Sequence, residues 1–305
     1  MHIRYDHIDG SDAEALVGEN DSLLFRIMPA AGGRILNIFN KSLNKEFLWH
    51  KKGISPTACQ PGDDYDANFW GGMDELLPND IPEKVDSIDY PDHGELWTLP
   101  LSHKIADDRI RVYGVLPKSR LYYSKTLRLA DDRPEILIEY EIQNRTDQIR
   151  HFLWKLHPAL IISTGDRLVT RAQKGQVVDP AYSRFTQEKP FKWPHLEGQD
   201  VSIVPERNDT TDFFYLFDNP QGEMALEGAD GSCFMIFYDP KIFPYQWYFA
   251  SFGGFLGHYT AILEPCSAIP IQLNVARELS QCSCLKPGEQ IHTTVRIYAG
   301  ITLQL

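Results

Sequence analysis

The chain has 305 residues, 43% of them hydrophobic and 24% charged. These are ordinary globular values that fit neither disorder nor a membrane-embedded chain. Its formal net charge of -12 repels phosphate backbones and anionic lipid surfaces, which argues against nucleic acid and membranes as partners. The N-terminal residues, MHIRYDHIDGSDAEALVGEN, hold no apolar run of signal-peptide length and are acidic where a transit peptide is basic. Five cysteines, Cys59, Cys233, Cys266, Cys282 and Cys284, are an odd number without disulfide-framework spacing, so reduced thiols and a cytoplasmic location are expected. The CSC triplet at 282–284 lacks a second cysteine pair, and buried or incidental thiols are the simpler reading.

Along the chain the strongest periodic signals have period two. SLLFRIM (22–28) is short and β-rich. In NFWGGMDELLPND (68–80), two glycines precede Met73–Leu77 and Pro78 limits it, which predicts the chain's sole helical stretch. SRLYYSKTLRL alternates Leu121, Tyr123, Lys125 and Leu127 against Tyr122, Ser124, Thr126 and Arg128. PEILIEYEIQN sets Ile136, Ile138, Tyr140 and Ile142 on one face, as in a half-buried antiparallel strand. The Pro-rich segment 188–209 predicts a long irregular connection over the surface. SCFMIFY, YTAILE and the alternating HTTVRIYAG follow, separated by turn sequences such as GADGSC and LKPGEQ. Hairpins at this spacing, without alternating βα units, predict an all-β antiparallel sandwich or barrel, and no linker divides residues 1–305 into more than a single domain.

Reactive side chains gather in three segments. PDHGELW places His93 in an Asp-His-Gly turn, where it reads first as a solvated turn residue. In FLWKLHPAL, His157 precedes a proline that fixes an extended backbone; a cleft position and a core position are both open. In AILEPCSAIP, Glu264 ends an apolar run whose burial would raise its pKa toward that of a useful base, while capping or pairing with an arginine is the alternative. Serine-elbow, P-loop, dinucleotide and HExxH patterns are absent, so nothing points to a metal. Trp70 beside Asp74 and Glu75, and Trp247 within FPYQWYFASFGG, combine flat aromatic faces with hydroxyl acceptors, which suits a carbohydrate; core packing is the competing role for both tryptophans.

Taken in order, GGRILNIF, WGGMDELLPND, DHGELW, WKLHPAL, FPYQWYFASFGG, ILEPCSAIP and LKPGEQIHTTVRI resemble a divergent branch of the galactose mutarotase-like (aldose 1-epimerase) superfamily, from about Leu23 to Ile297. The resemblance implies a large antiparallel β-sandwich with a sugar cleft on its concave face. It also implies interconversion of α and β anomers without a metal or organic cofactor: Glu264 as general base, His157 as general acid, and His93 as a second histidine on the ring or C1 oxygen. The segment DDYDANFWGGMDELLPNDIPEK is acidic and carries no arginine where the main branch has an Arg- and Asn-rich segment, and the hexose-6-phosphate branch uses arginines to hold the phosphate, so an unphosphorylated small-molecule sugar is expected. Asp74 and Glu75 are then expected to accept sugar hydroxyls, and Lys155 and Arg34 to line the cleft. A non-catalytic sugar-binding or regulatory protein, and a different carbohydrate chemistry on this scaffold, are the alternatives. The oligomeric state is left open.

Overall fold

A computed structural model describes residues 1–303 apart from Asp12 and Glu188. Two large antiparallel sheets dominate it. The larger one runs, edge to edge, through His2–His7, Glu14–Glu19, Leu23–Met28, Arg34–Asn40, Met73–Leu76, Lys155–Ile161, Tyr259–Cys266, Tyr245–Phe252, Thr211–Phe217, Lys174–Val177 and Phe191–Lys192. The second orders Arg167–Thr170, Glu223–Glu227, Ser232–Phe237, Gln290–Ile301, Glu135–Asn144, Leu121–Leu129, Arg109–Val115 and Ser102–Ala106. The alternating residues of the sequence face each other between these sheets: Ile136, Ile138, Tyr123 and Leu127 from one pack with Phe25, Ile35, Leu156, Leu160 and Leu263 from the other. No helix among the described residues is long and apolar enough to cross a membrane.

Two local expectations are corrected. Met73–Leu76 is a strand, not a helix. Gly71 and Gly72 adopt positive φ and deliver the chain edge-on between two neighbours, where Met73 pairs with Ile35 and Asp74 with His157. Ladder partners on both sides outweigh the weak local helix signal. The α-helices among the described residues are Tyr65–Asn68, whose N-cap Asp64 accepts from the Ala67 amide at 2.8 Å, and Leu273–Glu278. The 188–209 segment, whose first residue lies outside the described residues, is not a surface connection. Phe191–Lys192 pairs with Lys174–Val177, and Phe191, Trp193, Leu196, Val201 and Val204 are buried in the main core.

Candidate active site

Strand alternation divides the middle of the large sheet into two faces. Leu156, Leu160, Ala261 and Leu263 point into the sandwich. Lys155, His157, Thr260, Ile262 and Glu264 point the other way and line a cavity of about 240 Å³. The register Lys155↔Cys266 and Ala159↔Ile262 puts His157 directly opposite Glu264. His157 in turn pairs with Asp74, and Glu264 with Trp247. One row across four strands therefore reads Asp74, His157, Glu264, Trp247, with all four side chains on the same face.

His157 is held from behind. Its Nδ1 lies 3.0 Å from Asp74 Oδ1, and the Tyr65 hydroxyl, which donates to Asp74 Oδ2 at 3.0 Å, stands 3.2 Å from the same nitrogen. Arg34 completes the set by donating to Asp74. Burial pushes the Asp74 carboxyl up, but Arg34, His157 and Tyr65 outweigh it and hold the group well below the usual carboxylate range. An imidazole whose Nδ1 faces a fixed carboxylate donates there, which leaves Nε2 to exchange a proton in the cavity.

Glu264 is anchored through Lys155. The Nζ of Lys155 lies 2.6 Å from Glu264 Oε2 and 2.6 Å from Asp80 Oδ2, with all three side chains buried, and sits 4.4 Å above the Trp247 ring. Burial lowers the lysine pKa, but Asp80 and Glu264 overcome that, and the net shift is upward. Lys155 is therefore a fixed cation between two carboxylates rather than a neutral amine.

His93 comes from the opposite wall. Its backbone has φ 55° and the following Gly94 φ 78°. At Gly94 a Cβ would stand 2.4 Å from the Leu77 carbonyl oxygen, so only glycine permits this turn to close against the sheet edge. The imidazole stacks on Tyr65, with ring centroids 3.8 Å apart and planes 7° from parallel. Its Nδ1 is 3.0 Å from Asp92 Oδ2, close enough for charge attraction but off the hydrogen-bond direction. Burial lowers the His93 pKa, yet the Asp92 and Asp80 carboxylates more than compensate, and the net direction is up.

Of the nine residues read from the sequence, the structure brings Glu264, His157, His93 and Lys155 to one cavity. It does not bring the other five to that surface. Asp74 lies behind His157, its oxygens engaged by Arg34, Tyr65 and His157, so it orients an imidazole instead of accepting sugar hydroxyls. Glu75, one residue on, points between the sheets, where Lys125 donates to both its oxygens at 2.8 Å and Tyr140 at 2.6 Å. Arg34 is locked on Asp74 and under Trp70, 4.6 Å from that ring. Trp70 is only 2% exposed and packs with Met28, Ala31 and Leu36. Trp247 is fully buried, capped by Lys155, and donates its indole N–H to the Ala268 carbonyl at 3.0 Å. Residues the sequence did not single out fill the remaining wall: Tyr65, Asp66, Asp80, Phe249, Phe255 and His258. For Tyr65 the available signal was the Asp64 cap, which starts the helical turn that carries it.

Among solved structures the chain resembles a galactose mutarotase-like protein from Clostridium acetobutylicum, with TM-score 0.73 and 14% identity over 99% of each chain. The chain has the galactose mutarotase-like fold. Similar agreement with that fold holds for a galactose mutarotase-like protein from Lactobacillus casei, TM-score 0.68 and 16% identity over 93% of this chain and 99% of that one. It holds also for a Klebsiella pneumoniae protein provisionally assigned as an aldose 1-epimerase, TM-score 0.76 and 14% identity over 98% of this chain and 83% of that one. At these identities the likeness shows the galactose mutarotase-like fold itself. Neither a protein-family model nor a curated protein matches the sequence.

Proposed function

We propose that the protein interconverts the α and β anomers of an unphosphorylated aldose by acid–base ring opening. The observation that carries this reading is the strand register that sets an Asp74-backed His157 opposite Glu264 on the floor of one cavity. Ring opening of a hemiacetal needs a base at the C1 hydroxyl and an acid at the ring oxygen, both within hydrogen-bond reach of one bound ring. In this reading Glu264 takes the C1 hydroxyl proton while His157 Nε2 delivers one to the ring oxygen. The C1–O5 bond breaks, the C1=O bond forms, and rotation about C1–C2 presents the other face of the aldehyde. Closure then reverses both proton transfers and regenerates the two groups. Because Lys155 occupies Oε2 of Glu264, the proton is assigned to Oε1. His93, carrying a raised pKa, donates to the ring or C1 oxygen and stabilises charge there as the ring opens.

Cavity electrostatics support the unphosphorylated substrate. Among the described residues, Asp66, Asp80, Asp92 and Glu264 line the cavity with Lys155 as its one lysine or arginine, and Asp80 and Glu264 already share that cation. A phosphate dianion there would face uncompensated negative charge. Exchange between anomers of glucose, galactose and glucose 6-phosphate, followed by NMR with and without protein, tests the reading. Acceleration of a free hexose and none of the phosphate is expected; acceleration confined to the phosphate would reverse the substrate assignment.

A further inference from the structure

Tyr65 touches both histidines of the cavity, with different parts of one side chain. Its hydroxyl stands 3.2 Å from His157 Nδ1, and its ring lies flat against the His93 imidazole at 3.8 Å between centroids. It enters as the first residue of the Asp64-capped helical turn and is 3% exposed. Trp97 meets the ring edge-on at 5.1 Å with planes at 90°, and Phe69 leans on it at 5.5 Å. Packing from these sides holds the phenol in one orientation.

The hydroxyl has one proton and two neighbours that could accept it. Asp74 Oδ2, at 3.0 Å, belongs to an ionised carboxylate, whereas His157 Nδ1 is at best a neutral acceptor. A hydrogen bond to an ionised group is the stronger, so the proton goes to Asp74. Burial and that carboxylate push the Tyr65 pKa well above its ordinary value, so the phenol keeps its proton. Its oxygen then turns only lone pairs toward Nδ1, as does Asp74 Oδ1 at 3.0 Å. A bare Nδ1 would face two electron-rich oxygens, while a protonated Nδ1 is accepted by both. The phenol therefore adds to the bias that places the N–H at Nδ1 and leaves Nε2 for the substrate.

The ring acts on the other histidine. A stack 7° from parallel fixes the plane of the His93 imidazole. His93 also carries a raised pKa, and a charged imidazole is attracted to the electron-rich face beneath it.

We infer that Tyr65 is a positioning residue for both histidines: its hydroxyl sets the tautomer of His157 together with Asp74, and its ring sets the plane of His93. This inference rests on the acid–base reading, in which both imidazoles serve ring opening.

Tyr65→Phe keeps the ring and deletes the hydroxyl; Tyr65→Leu deletes both. Anomer exchange and imidazole nitrogen NMR shifts of histidine-labelled protein are measured on each beside wild type. Tyr65→Phe is expected to lower kcat about tenfold with KM within about twofold, and to move the His157 nitrogens toward the other tautomer while those of His93 stay. Tyr65→Leu is expected to lose a further severalfold in kcat and to move the His93 nitrogens as well. Wild-type kcat in Tyr65→Phe overturns the inference, and so does a loss of kcat with unmoved His157 nitrogens, the result of a merely structural role. Unmoved His93 nitrogens in folded Tyr65→Leu overturn the part that concerns His93; if that variant does not fold, Tyr65→Phe decides alone. If wild type exchanges no sugar, the acid–base reading fails and the shifts decide by themselves: movement confined to His157 in Tyr65→Phe sustains the positioning role, and unmoved His157 nitrogens overturn it.

Discussion

His157 Nδ1 lies 3.0 Å from Asp74 Oδ1, and the two residues are cross-strand partners on the cavity-facing side of the large sheet. The pair fixes which imidazole nitrogen is free to meet a substrate. Asp74→Asn keeps the shape but presents an amide whose N–H₂ competes for the same nitrogen, favouring the wrong tautomer. The expected result is a fall in kcat of about 100-fold or more with little change in KM, accompanied by a displaced pH limb. Exchange NMR across pH on wild type and variant checks it; a purely structural role for Asp74 would leave the surviving activity's pH profile where it was.

Asp74 and Asp80 both have carboxyl pKa values lowered on folding; burial opposes this, but Arg34 and His157 prevail at Asp74, and Lys155 at Asp80. A lowered native pKa means that the unfolded chain binds more protons as the solution becomes acid. The stability these groups contribute is present above the ordinary carboxylate pKa of about 4 and is lost as pH falls below it. Urea midpoints are thus expected to decline steeply below about pH 4, with a shallower decline in Asp74→Asn.

His93 has the opposite sign. Its pKa is raised in the fold, by Asp92 and Asp80 against burial, so its contribution is complete below the unfolded value of about 6.5 and fades as pH rises through the native one. Histidine-detected NMR titration is expected to show His93 titrating above about 6.5, and Asp92→Asn is expected to lower that value. A midpoint unmoved by the substitution would remove Asp92 as the cause.

Glu75 belongs to the core. Lys125 and Glu75 are both fully buried between the sheets, where burial drives the lysine pKa down and Glu75 opposes it. Glu75→Gln leaves the ammonium without its counter-charge and is expected to cost about 3 kcal/mol or more in urea denaturation. KM for the sugar in the folded fraction stays unchanged; a raised KM would return Glu75 to the cavity.

The fold was legible because long strands such as Glu135–Asn144 and Leu121–Leu129 display period two over enough residues to fix both face and sheet. Met73–Leu76, with four residues, displays too little, and adjacent Asp74 and Glu75 could be told apart only by the register that sends one to His157 and the other to Lys125. Glu264, His157 and His93 are weak signals one at a time and gain a role only through the order of their segments along the chain. Trp70 and Trp247 did not differ in sequence from aromatic platforms, and burial alone separates them from Phe249 and Phe255. Tyr65 meets His157 at a sequence separation of 92, and no local pattern encodes such an approach.

The central claim is tested most directly by anomer exchange in wild type and Glu264→Gln, with binding of the same unphosphorylated sugar measured by calorimetry on both. The account expects wild type to exceed the spontaneous rate, and the variant to bind within a fewfold yet return exchange close to that spontaneous rate. A variant as fast as wild type, or a wild type no faster than the sugar alone, would contradict it.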